Sequence, residues 1–371
     1  MKILIVRLSA LGDIVHALPV LAAIKRAKPD AQVDWLVEEN YASILSIAHG
    51  LHRRVIVRAK KSFESADAVS FGGLLGYKNA ASYLWNQDYD VALDLQGLIK
   101  SAIWARISFA DRVVGFDPPN LREPQAAFLY SQTVTPFGPS GGQVVRSSGQ
   151  QANEPTGRHI IHKNLSILSA LDIKPGLIEM PLTPHASGDT AAAIDTAGGS
   201  LGFIVLNPGA AWPNKRWPPE RFGALAAALR DRTGLRSLVT WGPSERELAN
   251  AVVSASAGAA SLAPATSVSD LAVLMREAAL VVSGDTGPLH IAAAMGTPLV
   301  GLYGPTWPER NGPWDPKDVV ISRANTCVCH HKRQCLRGAP CINEITLDEV
   351  VAASEQRLSH LRQGYGGRAP Q

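Results

Sequence analysis

Short apolar runs alternate with amphipathic helical patterns along most of this chain, and that alternation restricts it to an α/β fold built on parallel sheets. Lys2 to Leu8 is a near-continuous apolar run interrupted by the basic Arg7, the pattern of a strand buried on both faces. Ser9-Ala10-Leu11-Gly12-Asp13 follows as a loop, after which Ile14, Leu18, Leu21 and Ile24 recur at helical spacing. Pro19 cannot lie deep in a helix, so the helix is expected to start only a few residues before it. That sets Gly12 and Asp13 at a loop-to-helix junction beyond the carboxyl end of the first strand, where doubly wound sheets bind ligands. Further strands are expected at 33–38, 53–58 and 91–95, with helical patterns between the second and third strands and around 80–85.

The pattern recurs in the second half. The run Gly202-Phe203-Ile204-Val205-Leu206-Asn207-Pro208-Gly209 reads as a strand ending in a turn, and strands are expected at 237–241, 280–283 and 298–303. Helices are expected at 219–233, 245–257, 268–278 and 288–295, and another at about 159–171. Between these halves, residues 137–158 are rich in Gly, Ser, Gln and Pro and read as a mobile surface loop. The mixed Pro, Gly and small-residue stretch 175–199 reads as the domain linker. The expected division is a Rossmann-like domain over 1–182, a second over 183–350, and a terminal helix and tail over 351–371, whose last residues look frayed.

At 371 residues, length suits about two domains. Hydrophobic residues make up 46% and charged residues 18%, enough apolar material for sizeable cores. A net charge of +4 is too mild for a nucleic-acid protein. The amino-terminal apolar run is too short for a signal peptide or a membrane span, and no other stretch approaches one. A cytosolic protein that touches a membrane surface is therefore expected. Four cysteines confined to one short segment argue against a disulfide-spanned secreted fold.

Several junction residues can carry chemistry. Asp13 is a candidate general base, since a hydroxyl attacking an anomeric carbon must lose its proton to a positioned group; capping a helix is the commoner role for such an Asp. In Ser283-Gly284-Asp285-Thr286-Gly287-Pro288-Leu289-His290, Asp285 or Thr286 can cap a helix with Pro288 in its first turn and Gly296 at its end. The backbone N–H groups there favour phosphate, and Asp285 could hold sugar hydroxyls, with His290 on the first turn. Lys215 could neutralise a diphosphate leaving group or be a solvated surface charge. Glu245 could accept bonds from ribose hydroxyls or serve only as favourable charge at a helix start. His52-Arg53-Arg54 and Arg58-Ala59-Lys60-Lys61 bracket the third strand and could grip an anionic acceptor or bilayer, or form a solvated basic edge. Cys327, Cys329, Cys335 and Cys341, beside His330 and His331, could bind zinc or iron; reduced structural thiols or a disulfide are the other readings.

Taken in order, five separated segments resemble the ADP-heptose:lipopolysaccharide heptosyltransferases of glycosyltransferase family 9, and within it the heptosyltransferase I type. They are the stretch from Ile3 to His16 with Leu18-Pro19, the stretch from Tyr89 to Ala102, Arg122-Glu123-Pro124, Lys215-Arg216-Trp217-Pro218 with Trp241-Gly242, and Asp285-Thr286-Gly287 with His290. The resemblance spans nearly the whole chain. It implies a GT-B architecture of two Rossmann-like domains facing each other across a cleft. It further implies single-displacement, inverting, metal-independent transfer of L-glycero-D-manno-heptose from ADP-heptose to a Kdo residue of a lipid A–Kdo acceptor, at the cytoplasmic face of the inner membrane. Asp13 would be the base. Gly12, Ala210, Ala211, Lys215, Glu245, Thr266, Asp285, Thr286, Gly287 and His290 would line the donor site, with Lys215 at the phosphates, Glu245 at the ribose and Thr266 near the adenine. Arg58, Lys60, Lys61, Gln96 and Lys100 would serve the acceptor. The chain departs from that type in its long Gly/Ser-rich stretch, in its cysteine cluster, and in 159–164, which lacks the Glu-Arg pair usual there. The same chemistry on a second inner-core heptose or another surface glycan, and an inactive nucleotide-sugar or metal-binding protein, are the alternative readings.

Overall fold

A computed structural model of the chain describes residues 1–58, 68–136, 159–198, 202–330, 332–335 and 337–364. It divides into two compact units, Met1–Thr183 and Pro184–Gln371. Among the described residues no helix is long and apolar enough to cross a membrane.

Among its described residues the first unit has seven strands, β1 (Lys2–Val6), β2 (Gln32–Glu38), β3 (Arg53–Arg58), β4 (Ala68–Gly72), β5 (Val91–Asp94), β6 (Arg112–Phe116) and β7 (Gln132–Val134). All pair in parallel, in the order β4-β3-β2-β1-β5-β6-β7. Its helices are α1 (Leu11–Val15), α2 (Leu18–Ala27), α3 (Gly73–Trp85), α4 (Ile99–Ile107) and α5 (Ile160–Ser166). Pro19 sits in the first turn of α2, so the expected single helix is two, parted by a turn at His16 and Ala17. Ile3 to Val6 of β1 are fully buried, as an apolar run covered on both faces of a parallel sheet must be. Leu4, Val6, Leu36, Val55, Leu84 and Trp104 share one core.

The second unit repeats the plan with β8 (Phe203–Asn207), β9 (Arg236–Val239), β10 (Ala260–Leu262), β11 (Leu280–Gly284), β12 (Leu299–Tyr303) and β13 (Val319–Ser322), again all parallel, in the order β10-β9-β8-β11-β12-β13. Its helices are α6 (Gly188–Gly198), α7 (Pro219–Thr233), α8 (Arg246–Ser254), α9 (Val268–Glu277), α10 (Gly287–Ala294), α11 (Pro308–Asn311) and α12 (Leu347–Gly364). The stretch expected to be linker thus contains α6. Its run of alanines, the best helix formers, outweighs the flanking Gly and Ser, and Asp270 accepts the Ser187 N–H just before it at 2.6 Å. The last helix, α12, starts before the expected tail and places Val350, Val351 and Leu358 in the same core as Leu206, Trp217 and Phe222.

In each sheet the strand order reverses next to the strand that opens it: between β1 and β5 in the first, between β8 and β11 in the second. Ligands of doubly wound sheets bind beyond the carboxyl ends of the strands at such points.

Candidate active site

At the first reversal point Asp13 is the third residue of α1 and not its cap; Ala10 holds the cap position. The Asp13 carboxylate lies 2.9 Å from Nη2 of Arg7 and accepts the Ala10 N–H at 3.4 Å. Arg7 is 5% exposed. A cation buried just beyond an apolar strand needs a partner, and Arg7 has Asp13 and, through Nη1, the Leu95 carbonyl. The Trp35 indole N–H donates to the Arg7 carbonyl at 3.2 Å. Arg7 therefore fixes the candidate base, a role signalled in the sequence only by its break in the first apolar run.

The neighbouring turn after β5 is equally constrained. Gln96 Oε1 accepts the Leu8 N–H at 2.7 Å and its Nε2 lies 3.5 Å from Ser9 Oγ, so Gln96 ties this turn to the loop that carries Asp13. Lys100 pairs with Glu38 on the surface. Glu123, from the Arg-Glu-Pro segment, accepts the Ile99 N–H at 2.7 Å and so satisfies a donor at the start of α4. Beneath the turn Asp94, fully buried, accepts Gln96 N, Gly97 N, Ser101 Oγ and the Tyr130 hydroxyl. Burial raises its carboxyl above the ordinary value, against the hydrogen bonds that favour the ionised form.

The expected basic cluster around β3 is divided. Arg58 ends the strand, Lys60 and Lys61 lie outside the described residues, and His52, Arg53 and Arg54 lie at or near the opposite end, about 16 Å away at strand rise. His52 meets Asp34 at 2.9 Å and Arg53 meets the Tyr83 hydroxyl at 2.8 Å.

At the second reversal point, Asp285 follows β11 and is the centre of a buried network. Its Oδ2 accepts Lys215 Nζ at 2.5 Å and Thr306 Oγ1 at 2.7 Å; its Oδ1 accepts Asn311 Nδ2 at 3.0 Å and lies 3.3 Å from His290 Nε2. Asp285 therefore caps no helix. Thr286 takes the cap position of α10 without a side-chain capping bond, Gly287 opens the helix, and Gly296 follows its end with φ of 72°. Burial alone would raise the Asp285 carboxyl, but the His290 hydrogen bond and the Lys215 charge outweigh it and hold the group below the usual carboxylate range. Lys215 Nζ also lies 4.9 Å from the centre of the Trp212 ring. Asn207, the polar residue that ends β8, donates to Ser283 Oγ at 2.9 Å and Thr286 Oγ1 at 3.2 Å, which stitches the two central strand exits together.

Gly284 is dictated by close approach: a Cβ there would stand 2.8 Å from the backbone carbonyl oxygen of Lys215, whereas at Gly209 it would meet only the movable end of the Glu245 side chain. Glu245 accepts the Gly242 N–H at 3.1 Å, and its Oε1 lies 3.9 Å from Arg216 Nη2. Ala210 is buried and its carbonyl accepts Arg216 Nε at 2.8 Å, whereas Ala211 is exposed. Thr266, half-buried, precedes the Ser267 cap of α9. Along the carboxyl edge of the sheet, residues therefore follow in spatial order: Thr266 after β10, Glu245 after β9, Ala210 to Lys215 after β8, and Asp285 to His290 after β11. Adjacent strands lie about 4.8 Å apart, so this row spans roughly 14 Å. Thr306 and Asn311 extend it past β12; as isolated polar residues in a loop and a four-residue helix they carry no sequence signal of their own.

The four cysteines come together without a disulfide: Cys327, Cys329 and Cys341 are buried in one cluster with Cys335 packed on it. Among the described residues no group of three or more His, Cys, Asp or Glu side chains stands arranged around a metal position.

Two doubly wound units, one with a carboxylate at its reversal point and the other with a row of charged and hydroxyl side chains along the carboxyl edge of its sheet, define a glycosyltransferase of the GT-B class. The sequence model of glycosyltransferase family 9 (heptosyltransferase) matches residues 79–339, and the chain belongs to that family. It is 28% identical over 339 residues to lipopolysaccharide heptosyltransferase 1 of Pseudomonas aeruginosa, covering 90% of this chain and 87% of that protein. It is 30% identical over 334 residues to lipopolysaccharide heptosyltransferase 1 of Escherichia coli K12, covering 87% and 94%. Its fold matches the solved structure of the E. coli heptosyltransferase WaaC with ADP-2-deoxy-2-fluoro heptose, with a TM-score of 0.67, 25% identity and coverage of 96% and 99%.

Proposed function

We propose that this enzyme transfers L-glycero-D-manno-heptose from ADP-heptose to a Kdo hydroxyl of a lipid A–Kdo acceptor in the lipopolysaccharide inner core, working in the cytoplasm against the inner membrane. The observation that carries this reading is the ordered row on the second sheet. Its groups suit, in sequence, an adenine at Thr266, a ribose at Glu245, a diphosphate at Ala210, Ala211 and Lys215, and a polyhydroxylated sugar at Asp285, Thr286, Gly287 and His290. The WaaC structure whose fold it shares is a complex with an ADP-heptose analogue.

In the proposed step Asp13, fixed by Arg7, takes the proton of the attacking hydroxyl. The oxygen attacks the anomeric carbon from the face opposite ADP, so the configuration inverts as the carbon–oxygen bond to the β-phosphate breaks. Lys215 and the backbone N–H groups at the start of α10 offset the charge that develops on the departing phosphate, and no divalent metal takes part. Gln96 and Lys100 serve the acceptor together with Arg58, Lys60 and Lys61, whose positive charge suits Kdo carboxylates and lipid phosphates, and Gly12 belongs with the donor groups.

Calorimetric titration with ADP-heptose, ADP-glucose and UDP-glucose tests the donor, followed by transfer assays on lipid A–Kdo. Selective binding of ADP-heptose is expected; preference for UDP-glucose would remove the heptosyl assignment. Replacing Arg58, Lys60 and Lys61 together with Ala should raise the apparent KM for the acceptor by about 10-fold, the scale of two or three lost charge contacts, with the donor KM nearly unchanged. A change confined to the donor would contradict the assignment of these residues.

A further inference from the structure

The proposed transfer makes no use of the four cysteines, yet they are more closely arranged than packing needs. Free Cys behaves as a small hydrophobe and mixes with other apolar side chains. Here, among the described residues, the cluster holds cysteine alone, with Cys327, Cys329 and Cys341 at most 7% exposed. Cys329 Sγ lies 3.4 Å from Cys335 Sγ. Two backbone N–H groups aim at sulfur in the same local geometry: Cys329 N to Cys327 Sγ at 3.3 Å and Arg337 N to Cys335 Sγ at 3.4 Å. A backbone N–H aimed at sulfur is a directional polar contact, which a purely apolar cluster has no use for. Lys332, Arg333 and Arg337 lie on the same segment, Arg337 paired with Glu344 at 3.0 Å.

We propose that Cys327, Cys329, Cys335 and Cys341 hold one thiophilic divalent ion, zinc or iron(II), in a closed structural site. Four thiolates in tetrahedral array suit either metal. Four S–H protons pass to solvent as the ion enters, the metal keeps its oxidation state, and the resulting tetrathiolate carries two negative charges on a segment that also bears Lys332 and Arg333. At a metal–sulfur distance of about 2.3 Å, tetrahedral sulfurs stand about 3.8 Å apart. The Cys329–Cys335 separation of 3.4 Å is close to that value; the four side chains do not stand around a metal position as they are, and the ion would draw them into one.

The site braces its surroundings. The His330 ring stacks on Trp307, with centroids 5.0 Å apart, and its Nδ1 lies 3.1 Å from the Pro305 carbonyl. Asn214 donates to the Lys332 carbonyl at 2.9 Å. Asn214 and Pro305 adjoin Lys215 and Thr306, so the ion would hold the loops that present the Asp285 network; that last consequence rests on the proposed donor site.

The test is metal analysis of the full chain, purified under reducing conditions without chelator, together with thiol titration and visible absorption. About one ion per chain is expected, with thiols that react slowly until a mercurial or chelator releases the metal. Iron would add thiolate-to-metal absorption in the visible and zinc would not; either occupant supports the site. Cys329→Ser and Cys335→Ser should each lose the bound ion. Four freely reactive thiols, or two disulfides, with less than about 0.1 ion per chain after anaerobic incubation with zinc and ferrous salts, would overturn the proposal. Metal content is read on the unmodified protein, so a variant that fails to fold leaves the result intact. A loaded chain that does not bind ADP-heptose would keep the metal site and overturn the donor assignment instead.

Discussion

Asp13→Asn slows heptosyl transfer by about 100-fold or more while leaving the affinity for ADP-heptose nearly unchanged. The substitution keeps size and shape, and the amide oxygen can still accept from Ala10 N and Arg7 Nη2, the two groups that position the native carboxylate. What it removes is the ability to take a proton. The loss should therefore fall on turnover, not on binding, and single-turnover rates beside calorimetric donor affinity separate the two. A rate equal to that of the unaltered enzyme would remove Asp13 as the base, and a parallel loss of donor affinity would point to a folding defect. Arg7→Met provides the complementary measurement. It leaves a carboxylate in place without its fixed geometry, so it should lower the rate by less than Asp13→Asn does.

Asp285→Ala is the second large effect, and it is expected in stability as well as in donor binding. The change leaves Lys215, His290, Thr306 and Asn311 without the acceptor they share. The Lys215 side chain is 16% exposed, and stranding one partner of such a buried pair costs about 3–5 kcal/mol. For a unit of this size that lowers its thermal midpoint by about 10 °C. The pH dependence follows in sign. A carboxyl whose folded value is depressed contributes stability that is fully present above its unfolded value, near pH 4, and is lost as pH falls toward the folded value. The unaltered chain should thus lose stability below about pH 4, and Asp285→Ala should flatten that loss. Calorimetric melts from about pH 3 to 7, a range that brackets the unfolded value and shows the onset of the loss, decide it: an unchanged midpoint and an unchanged acid slope together would contradict the network.

The extent to which all this could be read from sequence varied with the physics behind each element. Strand β3 and helix α7 are recovered at their observed ends because an apolar run or a helical period is bounded there by a charge, a proline or a glycine. Strands β7 and β10, three residues each, are too short to show a period. Helix α6 escapes because its Ala, Gly and Thr residues read as linker. The junction residues Asp13, Lys215, Glu245 and Asp285 stand out by following apolar runs. Their partners do not: the Lys215–Asp285 pair joins residues 70 positions apart, and Thr306 and Asn311 enter the site only because β12 lies beside β11. Arg7 was visible as an interruption, but its function depends on a helix that turns Asp13 back toward the strand.

The central place of the first strand in each sheet has a consequence for how the chain is made. Strand β1 pairs with β2 on one side and with β5 on the other, and β8 likewise pairs with β9 and β11. Each sheet grows outward from its earliest segment, and every partner of β1 to β7 lies within Met1–Thr183. As the chain emerges from the ribosome, the amino-terminal unit has all its strands before Pro184 is added. At about 5–20 residues per second the remainder takes roughly 10–40 s more to synthesise, long compared with the milliseconds to seconds in which a domain of mixed helix and strand folds. The two cores thus form one after the other, and the first is closed before the apolar strands of the second exist to compete for it.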